Sequence, residues 1–148
     1  MTQQSPENTK TMRLALPSGW VMVHNYFFDV APIKDSDPES DWIDNVEGVW
    51  GEDMLWIHEL RWEKGENAEY RHVVANKNCY SIDMGWYDTL KFSGQYCVTL
   101  DWCGEEFITA DHFCSRDRFA IRDKIEEWIW EIFRNPEEAY NRWPRASE

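Results

Sequence analysis

Read for the spacing of its apolar residues, the chain falls into strands first and a helix last. After the turn signal Pro17-Ser18-Gly19, the run WVMVHNYFFD puts Trp20, Met22, His24, Tyr26 and Phe28 on one side and Val21, Val23 and Phe27 on the other. Its β-branched and aromatic content predicts a strand buried on both faces for part of its length. MLWIHELRW alternates in the same way, with Met54, Trp56, His58, Leu60 and Trp62 against Leu55, Ile57, Glu59 and Arg61. A turn at Lys64-Gly65-Glu66-Asn67 then leads to EYRHVVA, an antiparallel partner, and Asn76-Lys77-Asn78 is the next turn. In CYSIDMGWYDTLKF the interruption at Gly85 predicts a bulge or bend between two short pieces. The segments YCVTLDW and EFITADHF form the plainest hairpin. A two-residue loop would set Asp101 opposite Glu106, which repels, so a three-residue loop with Leu100 opposite Ile108 and Val98 opposite Ala110 is favoured.

From about Asp117 to Arg134 the period becomes helical. At 100° per residue Ile121, Ile125, Trp128, Ile129 and Ile132 share one arc, with Phe133 at its edge, which makes a stripe for packing on a sheet. Ser115 or Asp117 can cap the start, and Arg134 suits the negative C-terminal end. Asn135-Pro136-Glu137-Glu138 reads as cap, first helical residue and acidic first turn of a second, short helix carrying Tyr140 and Trp143. Trp130 lies opposite the buried stripe, nearly aligned with Phe119, and the simplest cover for it is that terminal helix folding back. The expected fold is α+β: a largely antiparallel sheet of about five or six strands, packed by the C-terminal amphipathic helix plus the short terminal helix. A polar tail over residues 1–12, too poor in apolar groups to offset its ordering entropy, precedes a single globular domain over 13–148.

Charge changes this picture at one place. Between Asp29 and Asp53 nine carboxylates meet a single cation, Lys34, so that stretch carries −8 of the net charge of −13. Pro32 and Pro38 argue against regular structure early in it, while Ser40 offers a cap for a short helix with Trp42, Ile43 and Val46, closed by Gly48. Charge runs ordinarily serve as solvated faces. The interleaved aromatics point further, because interface anchors are typically aromatic and the surrounding charges steer association. The candidate partner-binding residues are therefore Asp35, Asp37, Glu39, Asp41, Asp44 and Glu47 for the field, with Trp42 and Trp50 as anchors. The expected partner is a basic protein. With 15 Lys and Arg dispersed among 28 acids, a nucleic-acid or anionic-membrane surface is disfavoured.

The polar N-terminus has no secretory-type apolar run, and no stretch reaches the roughly 20 apolar residues of a membrane span, so a cytoplasmic location is expected. There Cys79, Cys97, Cys103 and Cys114, which form no Cys-x-x-Cys pair, are expected as free thiols. Among His24, His58, His72, His112 and the cysteines, the nearest pair is His112-x-Cys114, with no further ligand at a local spacing; no metal and no cofactor is expected. No nucleophile elbow, phosphate loop or Walker sequence is present, so the chain is not expected to be an enzyme and no catalytic residue is assigned.

Two pieces carry a family resemblance: LPSGWVMVHNYFFDV, with Trp20, Asn25, Phe28 and Asp29, and GEDMLWIHE, with Asp53, Leu55 and Trp56. Over roughly the first 60 residues they resemble small bacterial immunity proteins encoded beside contact-dependent growth-inhibition toxins. The resemblance implies a cytoplasmic toxin-neutralising protein that binds and blocks the C-terminal domain of a cognate toxin, commonly a nuclease. It supplies no catalytic residues. Two other classes make different predictions. An acidic nucleic-acid mimic, inhibiting a DNA-binding protein, would space its carboxylates like phosphates along a face. A small enzyme would show a concave pocket with converging His, Cys or Glu.

Overall fold

A computed structural model of the chain describes residues 9–46, 48–64, 70–74 and 78–143. Six strands precede two helices: β1 (Trp20–Asn25), β2 (Leu55–Lys64), β3 (Tyr70–Val74), β4 (Cys79–Tyr87), β5 (Gln95–Cys103), β6 (Phe107–Ser115), α1 (Arg118–Arg134) and α2 (Pro136–Arg142). The main sheet runs β1-β2-β4-β5-β6, with β3 pairing the far end of β2, and every pairing is antiparallel. This is the expected α+β architecture. The turns expected after Lys64 and before Asn78 lie largely outside the described residues.

Alternation decides which face is dry. Leu55 and Ile57 on β2, Tyr80, Ile82, Met84 and Trp86 on β4, and Tyr96, Val98, Leu100 and Trp102 on β5 are all buried. Against them α1 lays the predicted stripe, Ile121, Ile125, Trp128, Ile129 and Ile132, so both partners lose water together. Asp117 caps α1 by accepting from the Phe119 N–H, and Ser115 in turn accepts from Asp117 N–H. Trp143, after α2, is buried, and its carbonyl accepts from the Tyr80 hydroxyl at 2.5 Å.

Several local expectations give way to longer-range contacts. β4 is unbroken through Gly85: glycine is there because the Glu52 backbone crosses so closely that a Cβ would collide with it. The described residues of the acidic stretch form no helix. An isolated bridge Lys34–Ile43 folds the stretch on itself and another, Trp42–Lys91, holds it against the loop after β4, while the Ser40 hydroxyl accepts from Trp42 N–H as a local turn. The β5–β6 loop does span three residues, but they are 104–106, and a register shift at Leu100 and Asp101 sets Leu100 opposite Asp111 and Val98 opposite Phe113. The indole N–H of Trp130 donates to the Ala15 carbonyl at 2.8 Å, so the segment before β1 lies over it, whereas Tyr140 of α2 stacks on Tyr80 and Trp143 is in the core. That segment is anchored earlier than residue 13, for Thr11 bridges Phe28 and Met12 is in the core.

The four cysteines are not all free. Cys97 and Cys114 are register partners on β5 and β6 and form a disulfide. Such bridges persist chiefly in oxidising compartments, so the thiol argument for a cytoplasmic location no longer holds. No helix among the described residues is long and apolar enough to cross a membrane.

Candidate functional site: a cleft on the open face of the sheet

The face turned away from α1 carries the other half of each strand's alternation. Register fixes its rows. His24, Trp56, Asp83, Thr99 and His112 stand in one row across β1, β2, β4, β5 and β6. Val21, His58, Ser81, Asp101 and Thr109 form the next, and Cys79, Cys103 and Phe107 the last. The irregularity in β1 between Met22 and His24 matters here: Met22 opposes Ile57, a core residue, whereas His24 opposes Trp56, and so the bulge turns His24 onto the open face.

These rows floor a cleft of about 650 Å³ that includes His24, Asp53, Trp56, His58, Ser81, Asp83, Asp101, Cys103 and Phe107. No Lys or Arg is among its described lining residues. Asp101 is buried and accepts from both the Thr99 and Thr109 hydroxyls at 3.0 Å. Burial raises its pKa; the two threonines oppose that rise, and Cys103 adds to it. Asp83 is raised as well, by burial first and then by the neighbouring charges of Asp101 and Asp53. His24 Nε2 lies 2.9 Å from the Asp53 carbonyl, pinning β1 to the loop that precedes β2.

At the deep end three ligating side chains converge. His58, Cys79 and Cys103, from β2, β4 and β5, hold their N and S atoms within 4.8 Å of one another. His58 Nδ1 stands 2.8 Å from the Glu59 carbonyl, which can only accept, so Nδ1 carries the proton and the Nε2 lone pair is left toward the thiols. Nε2 is 3.7 Å from Cys79 Sγ. Hydrogen bonds from Cys79 first and His58 second bring the Cys103 thiol down to about 5, and the same contact with Cys103 raises His58. A pocket with converging His and Cys, the geometry expected of a small enzyme, is thus present, though a ligand or cation site uses the same geometry.

The residues assigned from sequence lie elsewhere. Asp41 accepts from the Ser93 hydroxyl and N–H, which lowers its pKa, and so it fastens the acidic loop to the turn after β4. Asp37 accepts from Glu39 N–H, and Asp35 from Asp37 N–H, within the loop. Asp44 is half-buried, with its N–H donated to the Ile33 carbonyl. Trp42 is 49% exposed with the Lys91 ammonium 4.4 Å from its ring centre. Trp50 is a correction: it is 2% exposed and packs on Trp86 and Tyr96, with its N–H donated to the Asn45 carbonyl. Buried there, it has no surface to offer a partner. Glu47 lies outside the described residues. The acidic loop and the cleft are joined through Asp53 alone among those carboxylates. No local spacing in the sequence marks His58, Cys79 and Cys103 as a group, because 21 residues separate the first two and each stands on a different strand. The available signal was their shared outward parity on paired strands.

No family model matches the chain, and no solved structure matches it. Over 64 residues it is 31% identical to Snaclec A16 of Macrovipera lebetinus, a C-type lectin-like snake-venom protein. The match takes in 43% of this chain and 38% of that protein, so the chain spans well under half of that relative's length. This finding overturns the expected bacterial immunity protein, and with it the toxin-antitoxin and contact-dependent-inhibition assignments. The structure supplies the physical reason: Trp20, Phe28 and Leu55, which carried the resemblance, are core positions that any chain burying these strands would fill with apolar groups. What the comparisons show of this chain is a distant, partial likeness to that protein.

Proposed function

We propose that this protein is a non-catalytic binding domain for a basic protein partner, and that the cleft on the open face of the sheet seats a cationic side chain of that partner. One observation carries the reading: Asp53, Asp83 and Asp101 crowd a cleft whose described lining holds no Lys or Arg. After burial, the charges of Asp101 and Asp53 raise the pKa of Asp83, and a cation placed among the three carboxylates relieves that repulsion. Trp56, 40% exposed, offers a ring face on which an ammonium or guanidinium gains further attraction. The net charge of −13 steers such a partner from a distance, and Asp35, Asp37, Glu39 and Asp44 add to the field.

The test is titration of the protein with Arg- or Lys-containing peptides, read by tryptophan fluorescence and calorimetry. Binding is expected to weaken with added salt, and Asp83→Asn is expected to lower affinity by about 10-fold or more. Trp56→Ala should cost about 2 kcal/mol or more of binding if it acts as an anchor. Changing Asp35 and Asp37 to Asn should slow association with little effect on dissociation. Affinity that is indifferent to salt and to Asp83→Asn would sink the reading.

A further inference from the structure

The cluster at the deep end of the cleft is more than the cationic-side-chain reading uses. We propose that His58 Nε2, Cys79 Sγ and Cys103 Sγ form a three-ligand site for Zn²⁺, with the fourth coordination position open to the cleft. One nitrogen and two sulfurs are the ligand types that select zinc over the hard cations, which prefer oxygen. The atoms already lie within 4.8 Å of one another, and closing to tetrahedral contact around an ion asks for only small side-chain movements.

Three features make the cluster a prepared site. The ligands stand on neighbouring strands of one sheet, with Cys79 and Cys103 direct register partners and His58 opposite Ser81, so backbone pairing positions all three before any ion arrives. The Glu59 carbonyl fixes His58 in the tautomer whose Nε2 can coordinate, the supporting contact that metal-binding histidines ordinarily have. Cys79 is fully buried and His58 nearly so, whereas Cys103 lines the cleft and gives an entering ion its route. The molecule also contains an internal contrast. Of its two cross-strand cysteine pairs, Cys97–Cys114 is bridged, while Cys79 and Cys103 are not bridged and instead face a histidine.

Both sulfurs coordinate as thiolates, any proton they still carry passing to solvent, and the two thiolates balance the charge of Zn²⁺. The site as a whole is then neutral. The field of Asp53, Asp83 and Asp101 is left in place, so this inference stands apart from the proposed partner and does not rest on it. Three protein ligands with a free position describe an open centre, one that takes water or a donor atom from whatever enters the cleft.

Co²⁺ is the probe. Protein stripped of metal under argon, with Cys97–Cys114 intact, is titrated with Co²⁺ and then with competing Zn²⁺. The expected result is near-ultraviolet thiolate-to-cobalt charge transfer and strong visible bands of tetrahedral Co²⁺, saturating at a stoichiometric ratio and erased by Zn²⁺. His58→Gln and Cys103→Ser should each weaken uptake by more than about 100-fold, beyond what loss of a merely supporting contact costs. The double variant Cys97→Ser/Cys114→Ser should keep the spectrum. Since Cys79 is in the interior, its variant is read only after far-ultraviolet circular dichroism shows it folded. As a readout without a spectrum, Zn²⁺ should raise the melting midpoint of the wild type and leave that of Cys103→Ser unmoved. Uptake that survives His58→Gln and Cys103→Ser, a cobalt spectrum without charge transfer, or recovery of Cys79 and Cys103 as a second disulfide would each overturn the proposal.

Discussion

Trp42 and Trp50, eight positions apart in one acidic loop, read alike in sequence and have opposite fates. Trp50→Ala should cost about 3–5 kcal/mol in urea unfolding, because it opens a core cavity and leaves the Asn45 carbonyl without its indole donor. Trp42→Ala, at an exposed position, should change stability by less than about 1 kcal/mol. Equal losses would mean that the loop is not packed as described. Asp83 gives a prediction in pH. Its carboxyl is raised above the ordinary value by burial and by Asp101 and Asp53, so the folded chain holds that proton more tightly than the unfolded chain does. The resulting stability is fully present below the unfolded value of about 3.9 and is lost as pH climbs through the raised one. Asp83→Asn should therefore be more stable than the wild type near neutral pH, and the gain should vanish in acid; urea midpoints measured across pH decide it. The residue-scale lesson is that alternation announces burial in strands, whereas a tryptophan in a loop carries no period from which burial can be inferred.

At the scale of elements, the pieces with a period were legible and the contacts between pieces were not. The buried stripe of α1 was predicted residue for residue, and the cap fell on Asp117, one of the two candidates with Ser115, because both features depend on neighbours within a few positions. The continuity of β4 was missed because the reason for Gly85 lies in the Glu52 backbone, 33 residues earlier in the chain. Gly85→Ala should destabilise by about 1–3 kcal/mol or more, since backbone rather than a side-chain tip must give way. Removing the β5–β6 bridge with Cys97→Ser/Cys114→Ser should cost about 3 kcal/mol, as a cross-link between residues 17 apart restricts the unfolded chain by about that much. By contrast, Arg118→Ala breaks a half-exposed ion pair to Asp29 at 2.9 Å and should cost less than about 1 kcal/mol. Chemical denaturation of the three variants ranks them, and an Arg118 effect as large as that of the bridge would contradict the exposure of the pair.

For the whole molecule, the amino-acid sequence by itself determined the class of fold, the order of strands before helices, the side of α1 that is buried, and a charge of −13 that makes a cation the natural guest. Each of these follows from local spacing or from composition, quantities the chain possesses before it folds. Tertiary structure alone decided where the chemistry sits. Of the carboxylates that converge, Asp83 and Asp101 belong to β4 and β5 and only Asp53, at its very end, to the acidic run, because pairing of β2 with β4 and of β4 with β5 stacks their outward residues into rows. The same pairing gathers His58, Cys79 and Cys103 from separate strands into one pocket end, and a bulge in β1 adds His24. Alternation tells which residues of a strand share a face. Only register tells which residues of different strands share a row, and register is set by loop lengths, bulges and core packing acting together.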